Sequence, residues 1–189
     1  MEQVIAVFHI ELGIGTNGTD VYVTGSFASA GNKASLNFGR FSDIAVTWTG
    51  SVDSDWHTAG NWTGNAVPSA DSYVLLPDTG VVNEPVIATD VAVCTLTMKA
   101  GRSLSVASSG NLTINNDLSM QGNNVAVVEP AAVTIGADSF LSRTSGHING
   151  RLKKVVSGPG SFVYHVGTTS GYTPVTINVD SGSGDFSVR

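Results

Sequence analysis

Between residues 96 and 120 the chain repeats one short unit. Leu96-Thr97-Met98, Leu104-Ser105-Val106, Leu112-Thr113-Ile114 and Leu118-Ser119-Met120 each read apolar, small polar, apolar. Their leading leucines are separated by eight, eight and six residues. A period of two puts Leu, Met, Val and Ile on one face of an extended chain and Ser or Thr on the other. Gly101, Gly110 and Gly122 fall between the pieces, where a chain that keeps turning needs positive φ. No window carries a helical period with caps, so the pattern predicts an all-β fold without long helices. Two architectures fit this spacing. One is a short right-handed parallel β-solenoid, with three short strands per coil around a narrow stacked core. The other is a β-sandwich, with the same pieces joined by hairpins. Three-residue pieces favour the solenoid, because sandwich strands usually run about five or six residues. Leu96, Leu104, Leu112 and Leu118 are then expected inside.

The flanking segments also read as extended. Residues 4–12, VIAVFHIEL, alternate loosely and predict a strand, with His9 on one of its faces. A turn is expected over Gly13 to Gly18, a strand over Asp20 to Phe27 and a loop over Ala28 to Ala34. The lone cysteine, Cys94, sits in an apolar run and is expected to be a small buried hydrophobe. At the other end, Asp185 to Arg189 stops inside an alternating pattern, which suggests a piece of a longer protein.

Composition sharpens the picture. Of 189 residues, 41% are hydrophobic and 13% charged, so the chain can bury a core while its outward positions are mostly small and polar. A net charge of −6 argues against nucleic acid as a partner. The one basic cluster, Arg151-Leu152-Lys153-Lys154, is too short to track a phosphate backbone and reads as a solvated strand or turn. No run is long enough to cross a bilayer as a helix, so membrane insertion is not expected.

Two resemblances extend this reading. The stretch DVYVTGSFASAGN followed by FGRFSD resembles one repeat of secreted bacterial β-propellers, with Tyr22, Gly25, Phe27, Ala30 and Gly31 at matching positions. A single blade cannot bury both faces, so residues 1–46 are expected to pack on something else rather than stand alone. Farther along come Trp48-Thr49-Gly50, Asp55-Trp56, Asn61-Trp62, Val67-Pro68, Asp71-Ser72-Tyr73-Val74, Leu76-Pro77 and Pro85-Val86-Ile87. With the coils that follow, and Gly146 to Leu152 later, this run is similar to repeats of large secreted surface proteins of Bacteroidetes type and of autotransporter-like adhesins. That resemblance covers roughly residues 47–189. It implies a β-solenoid with an aromatic cap over 47–145, further C-terminal strands over 146–189, and a secreted or cell-surface setting of bacterial origin.

The segment DSDWHTAGNW carries the densest candidate chemistry. A solenoid exposes the apolar end of its first coil unless something covers it, and Trp48, Trp56 and Trp62 could form that plug. The rival reading is a carbohydrate platform. There Trp56, Trp62 and Tyr73 would stack on sugar rings, with His57, Asp53 and Asp55 bonding hydroxyls at the edge. Catalysis is not expected. Glycoside hydrolysis needs two carboxyls held across a bond, whereas Asp53 and Asp55 can simply hold a turn, and Glu2, Glu11, Glu84 and Glu129 sit in no acid/base motif. No cofactor is called for. Thr16 to Asp20 and Asn115-Asn116-Asp117 offer oxygens to Ca²⁺, yet Asn/Asp/Gly turns look the same without metal. The function expected is a non-catalytic structural or adhesive module, capable of self-association. The alternative is a polysaccharide-binding module of a polysaccharide-degrading system.

Overall fold

The computed structural model describes residues 13–17, 20–26, 29–30, 33–34, 37–42 and 45–189 except 138. The expectations for residues 4–12, His9 among them, lie outside these. The chain divides into two compact units, Met1–Ile44 and Ala45–Arg189.

In the first unit, Asp20–Thr24 is the middle strand of a three-stranded antiparallel sheet, flanked by Gly13–Asn17 and Phe38–Ser42. Gly13–Asn17 is therefore a strand and not the expected turn. Its register pairs Ile14 with Val23 and Asn17 with Asp20. The backbone ladder with Asp20–Thr24 holds this run extended despite its two glycines, because β-preference follows the neighbour more than the residue. Within the expected loop, Ser29–Ala30 and Lys33–Ala34 form a small antiparallel pair.

The second unit is a parallel β-solenoid of about four turns. Each coil contributes one strand to each of three sheets. The first coil is Tyr73–Leu76, Val86–Ile87 and Val91–Val93. The second is Thr95–Met98, Leu104–Val106 and Leu112–Ile114. The third is Asp117–Gln121, Val125–Val127 and Val133–Ile135, and the fourth is Phe140–Ser145, Ile148–Asn149 and Leu152–Val156. Stacking in sheet two continues to Val166–Thr168, so the parallel ladder runs past residue 145, where the solenoid was expected to end. Among the described residues, helix is confined to two single 3-10 turns, Ala59–Asn61 and Thr63–Asn65.

Register explains the core. Leu96 lies directly between Val74 and Leu118, and Leu118 is followed by Leu141. In sheet three, Val91, Leu112, Val133 and Leu152 form one column, and Val93, Ile114 and Ile135 a second. Leu96, Leu104, Leu112 and Leu118 are buried as expected, while Ser or Thr at the alternate positions sits half-buried outside. Two columns change character in the last coil. Arg143 follows Met120, and Lys154 follows Ile135.

Corners explain the small and polar residues. Gly101 has φ of 78°, as the turning argument required. Gly110 and Gly122 are not at positive φ and are glycine for another reason. A Cβ on Gly110 would lie 2.9 Å from the Thr89 backbone nitrogen, and one on Gly122 would lie 2.8 Å from the Ala100 Cα. Each touches the corner of the coil beneath. Several polar side chains reach the opposite way, accepting from backbone N–H groups of the next coil: Glu84 from Ser103, Asn111 from Ala132, Asp117 from Phe140 and Asn124 from His147. Cys94 is half-buried, not buried. It occupies the corner between Val91–Val93 and Thr95–Met98, off the inward-facing columns, and its N–H donates to the Ser72 carbonyl at 3.0 Å.

Candidate functional site

The aromatic stretch closes the first coil. Val46–Thr47 adds a parallel strand beside Tyr73–Leu76, and Trp48 then turns across the end of the stack. An antiparallel bridge joins Trp48 to Trp62, and a parallel bridge joins Asp55 to Val86. The three indoles form one packed group. Trp62 meets Trp48 and Trp56 edge to face, with ring centroids 4.8 and 4.6 Å apart. Edge-to-face contact sets the positive rim of one ring against the negative face of another. Trp48 Nε1 donates to the Asn83 carbonyl and Trp62 Nε1 to the Trp56 carbonyl, both at 2.7 Å. Trp56 Nε1 is buried and has no partner among the described residues.

Relative exposures of 0% for Trp48 and Trp56 and 2% for Trp62 decide between plug and platform at these positions. A sugar stacks on a free ring face, and neither Trp56 nor Trp62 has one. They fill the end of the core. Tyr73, at 41% exposure, is the ring of the three that reaches solvent.

The polar groups in this stretch hold the loop that carries the indoles. Asn61 is fully buried and uses its whole amide. Its Oδ1 accepts from the N–H groups of Val52 and Asp53 at 2.9 and 3.1 Å, and its Nδ2 donates to Asp53 Oδ1 and the Asp55 carbonyl. Asp53 Oδ1 also accepts from the Asp55 N–H, and its Oδ2 from the Thr58 hydroxyl. These bonds, that from Asn61 foremost, hold the Asp53 carboxyl below its usual pKa and keep it ionised. Asp55 Oδ1 accepts from the His57 N–H at 3.0 Å. The two aspartates thus build consecutive turns.

His57 rests against the Thr89 hydroxyl, beyond Val86–Ile87 of sheet two. Tyr73 opens a strand of sheet one. The exposed members of the expected site therefore occupy different corners of the coil, and the fold does not gather the six residues into one concave site. Among the described residues no group of three or more His, Cys, Asp or Glu could hold a metal ion. Of the turn residues that could offer oxygens to Ca²⁺, Asp117 accepts from the Phe140 N–H of the next coil and Asn115 donates its amide N–H to the Ala70 carbonyl, while residues 16–20 lie partly outside the described residues.

The model of a family described as a domain of unknown function, DUF8693, matches residues 47–177. The chain belongs to that family. The match spans most of the solenoid, from the strand before Trp48 through the strand that carries Val166. No curated protein and no solved structure matches the chain.

Within the family match lies a second cluster of side chains. His165 Nδ1 and the Tyr172 hydroxyl are 2.6 Å apart, the Arg143 guanidinium lies over the Tyr172 ring at 3.8 Å, and His147 Nε2 is 3.0 Å from the Thr168 carbonyl. Burial, with Arg143 as a second cause, lowers the His165 pKa. The spacing of these residues in sequence gave no sign of this group. Beside it opens a groove of about 660 Å³, lined by Leu141, Leu152, Lys154, Phe162 and His165 among others.

Proposed function

We propose that this chain is a non-catalytic structural or adhesive module of a secreted or cell-surface bacterial protein, and that it associates with other copies of itself. The observation that carries this reading is the use made of the Trp48–Trp62 stretch. Its indoles are buried, and its buried amide and Asp53 carboxylate are spent on internal hydrogen bonds. A segment with the composition of a binding site serves to close the stack. Many outward positions on the coils, among them Thr97, Ser105, Thr113, Ser119, Ala126 and Thr134, are small and uncharged, a surface suited to display and packing. Sheet edges at the end of a solenoid offer unpaired backbone groups through which chains can join.

Light scattering of size-separated protein over a range of concentrations, followed by electron microscopy and a glycan array, tests this. Concentration-dependent oligomers or filaments without a glycan signal are expected. A monomer that binds one polysaccharide class would instead establish the carbohydrate module, with Tyr73 as its exposed ring.

A further inference from the structure

The strand that covers the end of sheet two has little of its own to hold it. Gly171–Tyr172 pairs antiparallel with Val166–Thr168 through two register pairs, Gly167 with Tyr172 and Thr168 with Gly171. One further backbone bond, from the Thr173 N–H to the Val166 carbonyl at 3.0 Å, completes the ribbon. Thr168, Thr169 and Ser170 at its tip are exposed, and Tyr172 is half-buried. So short a ribbon is marginal in water. Side chains from other elements clasp it instead. The Tyr172 hydroxyl lies 2.6 Å from His165 Nδ1, and the two rings stack with 18° between their planes. The Arg143 guanidinium covers the Tyr172 ring at 3.8 Å, steadied by its Nε donating to the Gly146 carbonyl. His147 Nε2 meets the Thr168 carbonyl at 3.0 Å. At the same end, sheet three is covered differently. Gly184–Val188 pairs with Leu152–Val156 at five positions and adds a Lys153–Asp185 ion pair.

We propose that the clasp on Tyr172 is an acid-released catch: protonation of His165 frees Tyr172, and the turn over residues 168–172 leaves the edge of Val166–Thr168 unpaired. A neutral His165 accepts the phenol hydrogen at Nδ1. A protonated ring carries its own hydrogen there, so the phenol must turn its hydrogen away. Two positive charges then bear on one tyrosine, Arg143 over its face and His165 beside it. No ion pair joins His147 or His165 to a carboxylate among the described residues. Lys154 and Tyr164 line the groove with His165, and donate to the Ser139 and Phe186 carbonyls. His147 is 6% exposed, so a charge on it would be poorly solvated too. Burial and the Arg143 charge already favour the neutral His165 ring. The catch is therefore closed at neutral pH and releases as the pH falls below 6.5 through the folded value. Its release is local, because the three ladders below it do not depend on these side chains.

Amide hydrogen exchange of the full chain, followed by NMR and corrected for the intrinsic effect of pH, tests this. The Thr173 N–H reports the catch, and the Ser105 N–H, bonded to the Pro85 carbonyl, reports the body of the stack. Between about pH 8 and pH 5, Thr173 is expected to lose protection by about tenfold or more while Ser105 keeps its own. The midpoint of that loss should coincide with the titration of the His165 ring in the unsubstituted chain. In His165→Gln the Thr173 protection should no longer change with pH, whatever its level, and in His147→Gln the loss should persist. Thr173 protection that stays constant in the unsubstituted chain overturns the proposal, as does a midpoint away from the His165 titration. A parallel loss at Ser105 makes the event general unfolding and not a catch. A loss that survives in His165→Gln, or vanishes in His147→Gln, removes His165 as the trigger.

Discussion

Trp62 shows how one side chain is committed to the fold. It is almost fully buried, packs edge to face on two indoles and donates its N–H to the Trp56 carbonyl. Trp62→Ala should cost about 3–5 kcal/mol, the range for removing a large buried aromatic. A thermal melt of the variant checks this, and an unchanged midpoint would refute the plug. Asn61 shows the same commitment in a polar residue, and it could not have been singled out beforehand. Its neighbours Trp56 and Trp62 advertise themselves as aromatic, whereas an Asn in a turn-rich stretch looks like any other turn residue. Only the fold reveals that it satisfies two backbone donors and braces Asp53. Platform or plug was likewise open at this scale, because an indole face can either stack on a sugar ring or pack against another indole.

At the scale of elements, much was legible. The L-[ST]-apolar unit exposes its own geometry, since a column of inward Leu, Val, Ile and Met forms only where identical strands stack in register. Corners were harder. Gly101 needs positive φ and could be argued from turning alone, but Gly110 and Gly122 answer to the backbone of the coil beneath, a partner about one coil away in sequence. Gly110→Ala should therefore destabilise more than Gly64→Ala, although Gly64 is the one with φ of 79°. A Cβ on Gly64 meets open space and carries only the strain of its conformation, about 1–2 kcal/mol. One on Gly110 pushes two coils apart. Denaturant melts of both variants decide the order. Gly13–Asn17 and Cys94 were misread for the same kind of reason: a strand partner in one case and a corner position in the other, neither visible in the local run.

For the whole molecule, His165 ties stability to pH. His165 is shielded by burial, lies near the Arg143 charge and stacks on Tyr172, so its neutral form is favoured in the folded chain. With the folded pKa below the ordinary 6.5, its contribution is complete above that pH. It is lost as pH falls from there through the folded value, because the unfolded chain takes up the proton first. The melting temperature should decline on acidification in this window, and His165→Gln should flatten the decline. A variant that melts with the same slope as the unsubstituted chain would remove His165 as the cause. This cluster was the least legible part beforehand, since Arg143, His147, His165 and Tyr172 come from different strands or their connections and meet only in the fold. The cationic turn of two core columns was hidden for the same reason, as Arg151 to Lys154 reads as a solvated run until the register puts Lys154 behind Ile135.

The corner acceptors of Glu84, Asn111, Asp117 and Asn124 reach along the same axis as the three ladders of strand hydrogen bonds. A pull along that axis loads each coil-to-coil interface in series, and every interface is held by its own ladders and corner contacts. Under tension such a rod yields at its weakest joint first and lengthens by one coil's worth of slack while the neighbours stay intact. A force–extension record of the chain pulled along the stack should therefore show rupture in coil-sized steps and not one single event.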